Sequence, residues 1–298
     1  VTHVSSPPST SCASAAPDPA LTRVRDLIYQ AAGIFYPDNK LRLLREGCDR
    51  RMQALQSQSL GEYIDRLSLA TDRQAELIAL LNEITIGKTC FFRDRPQLDA
   101  LRRIVIPNIL KAKLDSRRSR LRIWSAGCST GEEPYSLRML LLEESHQLLG
   151  NWPIEIIATD INQRSLAHAR DAIYGPQSTR NVTAPYRRKY FVPSGDHLQV
   201  SPLARMSVSF SRLNLADDPR MQYIANVDAI FCCNVLIYFD LASKRRVLRH
   251  FLKNLSPHGY LFLGHSESLF GVTDDFSLVH LPGATAYVKS LPKGAHAQ

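Results

Sequence analysis

The apolar period of this chain changes once, near residue 120, and that change restricts the fold more than any single motif. From Ala20 to about Gly87, apolar residues recur at helical spacing. The successive sets are Leu21, Val24, Leu27 and Ile28; Leu41, Leu44 and Cys48; Leu60, Tyr63 and Leu67; and Leu77, Leu80, Leu81 and Ile84. Breaks at Gly33 with Pro37-Asp38, near residues 57–61 and at Thr71-Asp72 divide the stretch into about four helices, with Thr71 or Asp72 suited to cap the last. Nothing in it carries a β signal. A small helical bundle over residues 20–87 is the expectation.

Beyond Arg120 the pattern becomes strand, turn, helix. Residues 121–126 read as a strand, 127–131 as a turn, and 132 to about 149 as a helix with acidic residues in its first turn, where the macrodipole favours them. Strands are expected at 154–159, 206–213, 227–232 and 260–264, helices near 163–172 and 243–254, and a terminal hairpin around Pro282-Gly283. Residues 173–203 read as loop-rich. The alternation predicts an α/β fold: a doubly wound, mostly parallel sheet over 121–290, with a small insert before the fourth strand region. Ligands bind such sheets at the carboxyl ends of the central strands. Residues 1–19 and 291–298 are expected to be tails; the first has too few large apolar residues to offset ordering entropy.

Charge is unevenly placed. The chain carries 37 Lys and Arg against 28 Asp and Glu, net +9, yet residues 20–87 balance at nine of each. Residues 88–122 hold eleven basic and three acidic side chains. A basic linker and connecting helix over 88–120 is therefore a candidate docking face for an acidic partner. No run approaches the ~20 apolar residues of a membrane span. The first twenty residues have neither a basic nor an apolar signal region. Six cysteines form no C-x-x-C pair and no Cys/His ligand spacing, so reduced thiols, a cytoplasmic location and no metal are expected.

Three segments point to a site. The turn Gly127-Cys128-Ser129-Thr130-Gly131 lacks the G-x-G-x-x-G dinucleotide spacing, and the Glu132-Glu133 that follows would repel a pyrophosphate but suit a ligand with positive charge. Asp160 ends the second strand, where doubly wound folds hydrogen-bond a ribose diol. Asn234 and Tyr238 follow the strand 227–232, at the edge where substrate meets cofactor. Ile86-Gly87-Lys88-Thr89 is no P-loop, because the upstream glycine position is Asn82. In Thr89-Cys90-Phe91-Phe92-Arg93, the adjacent phenylalanines cannot share one helical stripe, so one should line a pocket, with Arg93 beside it. His265-Ser266 has no G-x-S-x-G elbow and is not read as a nucleophilic site.

In order along the chain, T-x-F-F-R (89–93), S-T-G-E-E-P-Y-S (129–136), A-T-D-I (158–161), Asn214-Leu215, C-x-N-V-x-I-Y-F (232–239) and G-H-S-E (264–267) make the chain resemble the CheR chemotaxis receptor methyltransferases over residues ~20–290. The resemblance implies an S-adenosylmethionine-dependent methyltransferase sheet and S-adenosyl-L-methionine as methyl donor. It implies receptor glutamates as acceptors, giving γ-methyl esters for signalling adaptation. By motif match, Thr89, Arg93, Gly127, Glu133, Asp160, Asn214, Leu215 and Asn234 would contact the cofactor, with the ribose on Asp160 and the adenine on Asn214-Leu215. Arg93 and Tyr238 would stand beside the reacting centre as catalytic residues. The partners implied are the cytoplasmic helices of methyl-accepting chemoreceptors, approached by a monomer, without nucleic acid and without membrane insertion.

Three positions depart from that family. Cys233 stands where an arginine is usual, and a thiol cannot replace a guanidinium fork. Gly87 stands where asparagine is frequent. Between Tyr190 and Asn214 the Gly-x-Gly insert of members that bind a receptor's C-terminal pentapeptide is missing, so docking through the helical domain and basic linker, independent of that tether, is expected. Two other functions compete. A cofactor-binding regulatory protein with little catalysis would explain Cys233. A nucleic-acid methyltransferase would explain the +9 charge, but Asn234-Val235-Leu236-Ile237 is not the D/N-P-P-Y-like tetrad of amino-methylating enzymes.

Overall fold

The computed structural model describes residues 18–114, 120–144, 149–150 and 152–290. The tails expected over 1–19 and 291–298 thus lie outside the described residues, apart from Asp18 and Pro19. Those two are not tail: Asp18 Oδ1 accepts the Ala20 N–H at 2.9 Å and caps helix α1 (Pro19–Ala32), whose first residue is the proline.

α1 packs with α2 (Leu41–Leu55), α3 (Leu60–Leu69) and α4 (Arg73–Ile84), the four helices expected from the spacing. Val24, Ile28, Leu44, Tyr63, Leu67 and Leu80 form their buried faces. Asp72 precedes α4 but does not cap it; its carboxylate accepts from Arg66 at 2.8 Å instead. The bundle has one buried acid. Glu76 accepts both arms of the Arg51 fork, at 2.9 and 2.7 Å, and the Tyr63 hydroxyl at 2.8 Å. Burial, then the Glu76 carboxylate, push the Tyr63 hydroxyl far above its usual range.

Part of the basic segment is engaged internally. α5 (Arg95–Ala100), a π-helical turn Leu101–Val105 and α6 (Ile106–Lys113) bury Leu98, Leu101, Val105, Ile106 and Ile109 in the α/β core. Arg102 pairs with Glu144, Lys113 with Asp228 at 2.5 Å, and Arg122 with Glu155 at 2.8 Å. Arg95 donates to the Asn181 carbonyl at 2.5 Å. Arg103 and Lys111 are exposed, Arg117 and Arg118 lie outside the described residues, and Lys88 and Arg93 at the start of the segment line a cleft between the strand ends.

The α/β domain runs β1 (Leu121–Ala126), α7 (Glu132–Glu144), β2 (Ile154–Asp160), α8 (Gln163–Asp171), β3 (Ile173–Tyr174), β4 (Phe191–Ser194), β5 (His197–Val200), β6 (Val208–Arg212), β7 (Val227–Cys232), a helix Leu241–Asn254, β8 (Leu255–Leu263), β9 (Phe276–Leu281) and β10 (Ala284–Lys289). The main sheet has the order β6-β2-β1-β7-β8-β10-β9. It is parallel from β6 to β8, and β10 is antiparallel to both β8 and β9. Trp124 sits at its centre, aligned with Ile157 on one side and Ile230 on the other, its indole N–H on Thr159 Oγ1 at 2.9 Å. The doubly wound expectation holds. α7 ends at Glu144, and residues 145–148, where the helix was expected to continue, lie outside the described residues.

The stretch expected to be loop-rich is instead a second, antiparallel sheet, β3-β5-β4, with short helices Pro176–Thr179 and Ala184–Tyr190. This is the small insert, and it falls between α8 and β6. Its strands are two to four residues long, too short for a period of two to register in sequence.

The helical bundle is one wall of the α/β domain. Its core continues into the sheet face bearing Trp124 and Ile230 and into Val247 of the helix Leu241–Asn254. Ile34 forms an antiparallel bridge with Phe239, and the Phe35 N–H donates to the Tyr238 carbonyl at 2.9 Å. Removing the buried acid of the bundle, Glu76→Ala, should lower stability by ~3 kcal/mol, because the Arg51 and Tyr63 donors lose their acceptor while partly or fully buried. The measurement is the urea midpoint, and Glu76→Gln should retain part of the loss.

Candidate active site

The switch point of the sheet lies between β1 and β7: the chain leaves β1 toward β2 on one side and leaves β7 toward β8 on the other, which opens a crevice beyond the strand ends. A cavity of about 590 Å³ occupies that crevice. All nine residues expected at a site line it: Thr89, Arg93, Gly127, Glu133, Asp160, Asn214, Leu215, Asn234 and Tyr238. Ile34, Tyr36 and Ile84 of the helical domain close one side.

Asp160 organises the β2 edge. Its Oδ2 accepts the Ser129 N–H and its Oδ1 the Asn162 N–H, both at 2.8 Å. A carboxylate has about four acceptor positions, so capacity remains for a diol in the cleft. Burial raises the Asp160 carboxyl above its ordinary value, and the backbone N–H bonds pull it back. The turn before it offers no nest for a phosphate. The N–H groups of Gly127 and Cys128 donate to the Thr159 carbonyl, that of Gly131 to the Cys128 carbonyl, and that of Ser129 to Asp160. Gly127, at φ +86°, lines the cleft, and a Cβ there would strike the Val235 side chain. Gly131 serves packing rather than ligand approach: at φ +95°, its Cβ would fall 2.8 Å from that of Ala169 on α8.

The two acids after the turn separate in space. Glu132 is buried and holds the Thr130 and Ser178 hydroxyls at 2.6 and 2.8 Å. Glu133 turns to the cleft, with the Ser125 hydroxyl at 2.6 Å on Oε1. Burial raises the Glu133 carboxyl; Ser125, Cys233 and Arg93 act against that rise. Phe91 packs edge-on against Tyr174 and Phe191, while Phe92, at φ +50°, lines the cleft, so the adjacent rings do face different surroundings. Arg93 Nη1 donates to the Lys88 carbonyl at 3.1 Å. Asn214 spans the domains: its Nδ2 donates to the Ala31 carbonyl at 2.9 Å, while buried Leu215 adds apolar wall.

Several residues that sequence reasoning did not single out shape this site. Glu267 clamps the tip of β7: Oε2 accepts the N–H groups of Asn234 at 2.6 Å and Gly264 at 2.8 Å, and Oε1 that of Ile237 at 3.2 Å. Asn234 is thereby held at φ +61°, a left-handed conformation. The G-H-S-E string contained this acid, but no local signal tied it to residue 234. Gln97 donates to the Leu263 carbonyl at 2.5 Å and takes the Cys233 thiol on Oε1 at 3.6 Å. Ser129 Oγ is buried, lines the cleft and bonds to nothing described. A Cβ at Gly87 would sit 2.8 Å from it, so the missing side chain at 87 leaves room for this hydroxyl.

These features fit S-adenosylmethionine. Asp160 has acceptor capacity for the ribose diol, Leu215 an apolar surface for the base, Glu133 an acid for the ammonium, and Ser129 an unused hydroxyl. The sheet order and this cleft define an S-adenosylmethionine-dependent methyltransferase fold. Residues 87–285 match the family model described as CheR methyltransferase, SAM binding domain, and residues 19–85 match CheR methyltransferase, all-alpha domain. The chain is 35% identical over 279 residues to chemotaxis protein methyltransferase 2 of Vibrio cholerae, covering 91% of this chain and 93% of that one. It is 33% identical over 252 residues to the chemotaxis protein methyltransferase of Borreliella burgdorferi (84% and 88% covered) and 34% over 280 residues to that of Salmonella typhimurium (93% and 92%). The chain belongs to the CheR methyltransferase family.

Asp160→Asn is expected to weaken S-adenosylmethionine binding on the order of 10- to 100-fold by calorimetry, the loss of charge-assisted bonds to hydroxyls. Acid should do the same to the wild type. Because burial raises both Asp160 and Glu133, affinity should begin to fall at a pH above the ordinary carboxylate range near 4. In Asp160→Asn only the Glu133 part of that acid dependence should remain.

Proposed function

We propose that the chain methylates glutamate side chains on the cytoplasmic helices of methyl-accepting chemoreceptors, in the cytoplasm, yielding γ-glutamyl methyl esters. The observation that carries this reading is charge placement. Lys88 and Arg93, from one linker segment, line the same cleft as Asp94, Glu133, Asp160 and Tyr238. A carboxylate acceptor entering there meets cations, and at pH 7 it is already ionised, so no proton has to be removed first. Bound in the cleft, S-adenosylmethionine supplies a methyl group on a positively charged sulfur.

The chain's own residues then have to align and enclose. Arg93 can hold an acceptor carboxylate through its fork, with donors in a fixed plane. The Tyr238 hydroxyl bonds to no described residue, which leaves it for the acceptor; burial raises it and Arg93 lowers it. Glu267 fixes the β7 tip from which Asn234 and Tyr238 extend. Orientation of this kind supplies up to roughly 7–11 kcal/mol of a barrier. Docking is proposed to be independent of a receptor tail. The β4–β5 hairpin turns tightly at Gly195-Asp196, with Ser194 paired to His197 and no Gly-x-Gly insert.

Tritiated methyl transfer to receptor cytoplasmic fragments tests the reading. Base-labile label released as methanol is expected, equally for fragments with and without their C-terminal tail; base-stable label would mean an N-methyl product and defeat the proposal. A second reading, cofactor binding with weak catalysis, is favoured by Cys233, whose thiol lies on Gln97 where the resembling family carries arginine. Cys233→Arg is expected to raise kcat in the same assay, since it returns a fork donor to the cleft wall. An unchanged kcat, with the wild type already active, removes that second reading.

A further inference from the structure

The helical domain reaches the reacting centre through three consecutive residues between two backbone breaks. Helix α1 stops at Gly33, at φ +70°, whose N–H donates to the Tyr29 carbonyl at 2.8 Å. A Cβ at 33 would fall 3.0 Å from that of Ala216, so this left-handed turn is made tight against the α/β domain. Pro37 then redirects the chain into the turn that begins α2. The residues between are Ile34, Phe35 and Tyr36, and two of them grip the Tyr238 segment by backbone. Ile34 bridges Phe239, and the Phe35 N–H is on the Tyr238 carbonyl.

Tyr36 makes the second connection. Its hydroxyl donates to the Ile84 carbonyl at 2.8 Å, and the side chain is buried. Ile84 is the last residue of α4, so its carbonyl is one of those a helix end leaves for an outside donor. Thr85 is extended, and from it the chain runs along the cleft through Lys88 and Thr89 to Arg93. The Tyr36 ring lines the cleft, but its hydroxyl is committed to that carbonyl. Burial, then the neighbouring Tyr238, push the Tyr36 hydroxyl well above its ordinary value, so it keeps its proton and stays a donor at neutral pH.

We propose that Tyr36 is a positioning residue, a strut on one side of the cleft that fixes the spacing between Tyr238 and the segment carrying Arg93. The proposal rests on the reading of Tyr238 and Arg93 as the groups that meet the acceptor carboxylate. One end of the strut is the 34–35 backbone on Tyr238 and Phe239; the other is the phenol on the end of α4. Without the hydroxyl, a buried carbonyl lacks its donor and the chain leaving α4 is free to shift. A displacement of ~1 Å in groups that align reactants can lower a rate about 100-fold. The cofactor side is held separately, Asp160 by Ser129 and Asn162, and Glu133 by Ser125.

Tyr36→Phe tests this, because it keeps the ring and removes only the hydroxyl. With saturating S-adenosylmethionine and receptor cytoplasmic fragment, kcat should fall about tenfold. Affinity for S-adenosylhomocysteine by calorimetry should change less than about threefold, which a general loss of structure would not permit. A spacing has two ends, so in a Tyr238→Phe background the same substitution should lower kcat by less than about twofold. An unchanged kcat in Tyr36→Phe, or an equal loss in both backgrounds, overturns the strut. Should the wild type transfer no methyl group, the proposed reaction fails and hydrogen exchange decides the strut. With S-adenosylhomocysteine bound, Tyr36→Phe should quicken exchange in both 86–93 and 235–239 while leaving α2 unchanged. Quickening in only one of those segments, or in neither, overturns it.

Discussion

The Asp160 carboxylate is the joint on which the site depends. It ends β2, and it fastens two backbone segments at once: the turn between β1 and α7 through Ser129, and the start of α8 through Asn162. Asn162 passes the constraint on. Its Nδ2 donates to the Asn82 carbonyl at 3.1 Å and to Thr85 Oγ1 at 2.8 Å, while Asn82 Oδ1 accepts the Gln163 N–H at 2.8 Å. One polar chain thus runs from α4 of the helical domain to the strand tip and into the cleft turn. All its members but the exposed Gln163 are buried or partly buried, where a lost partner costs more than a bond contributes in water. The acid proposed to meet the nucleoside is therefore also the acid that shapes the cleft.

The opposite edge of the cleft repeats the device with a different acid. Glu267 gathers three N–H groups and keeps Asn234 left-handed, a conformation costly for a residue with a Cβ unless its surroundings impose it. Both strand tips are thus held by carboxylates that satisfy backbone donors. The helical domain belongs to the same construction. The Asn214–Ala31 bond, the Ile34–Phe239 bridge and the Tyr29 hydroxyl on Asp240 at 3.0 Å join it to the loops around the cleft. A domain that reads in sequence as a separate bundle is physically a wall of the active site.

The chain's positive charge divides along the same lines. Arg102, Lys113, Arg120 and Arg122 answer buried or half-buried acids of the α/β domain. Net charge counted along a segment cannot distinguish these from Lys88 and Arg93, which line the cleft. The distinction matters because a paired guanidinium is already screened by its partner, while a cation facing the cleft still has its field to offer a ligand.

Element order, the helical bundle, the parallel sheet and the cleft residues named from motifs were legible before any coordinates, because period and turn chemistry are local properties. The short strands of the insert were not, since two to four residues hold no period. Nor were Glu267 and Gln97. Glu267 acts on a backbone N–H 33 positions away, and Gln97 on a carbonyl 166 positions away. Residue types and spacing determined what kind of ligand the strand ends would meet. Only the packed chain decided which acids face inward and which cations keep a partner, because those depend on distances between segments that no local pattern encodes.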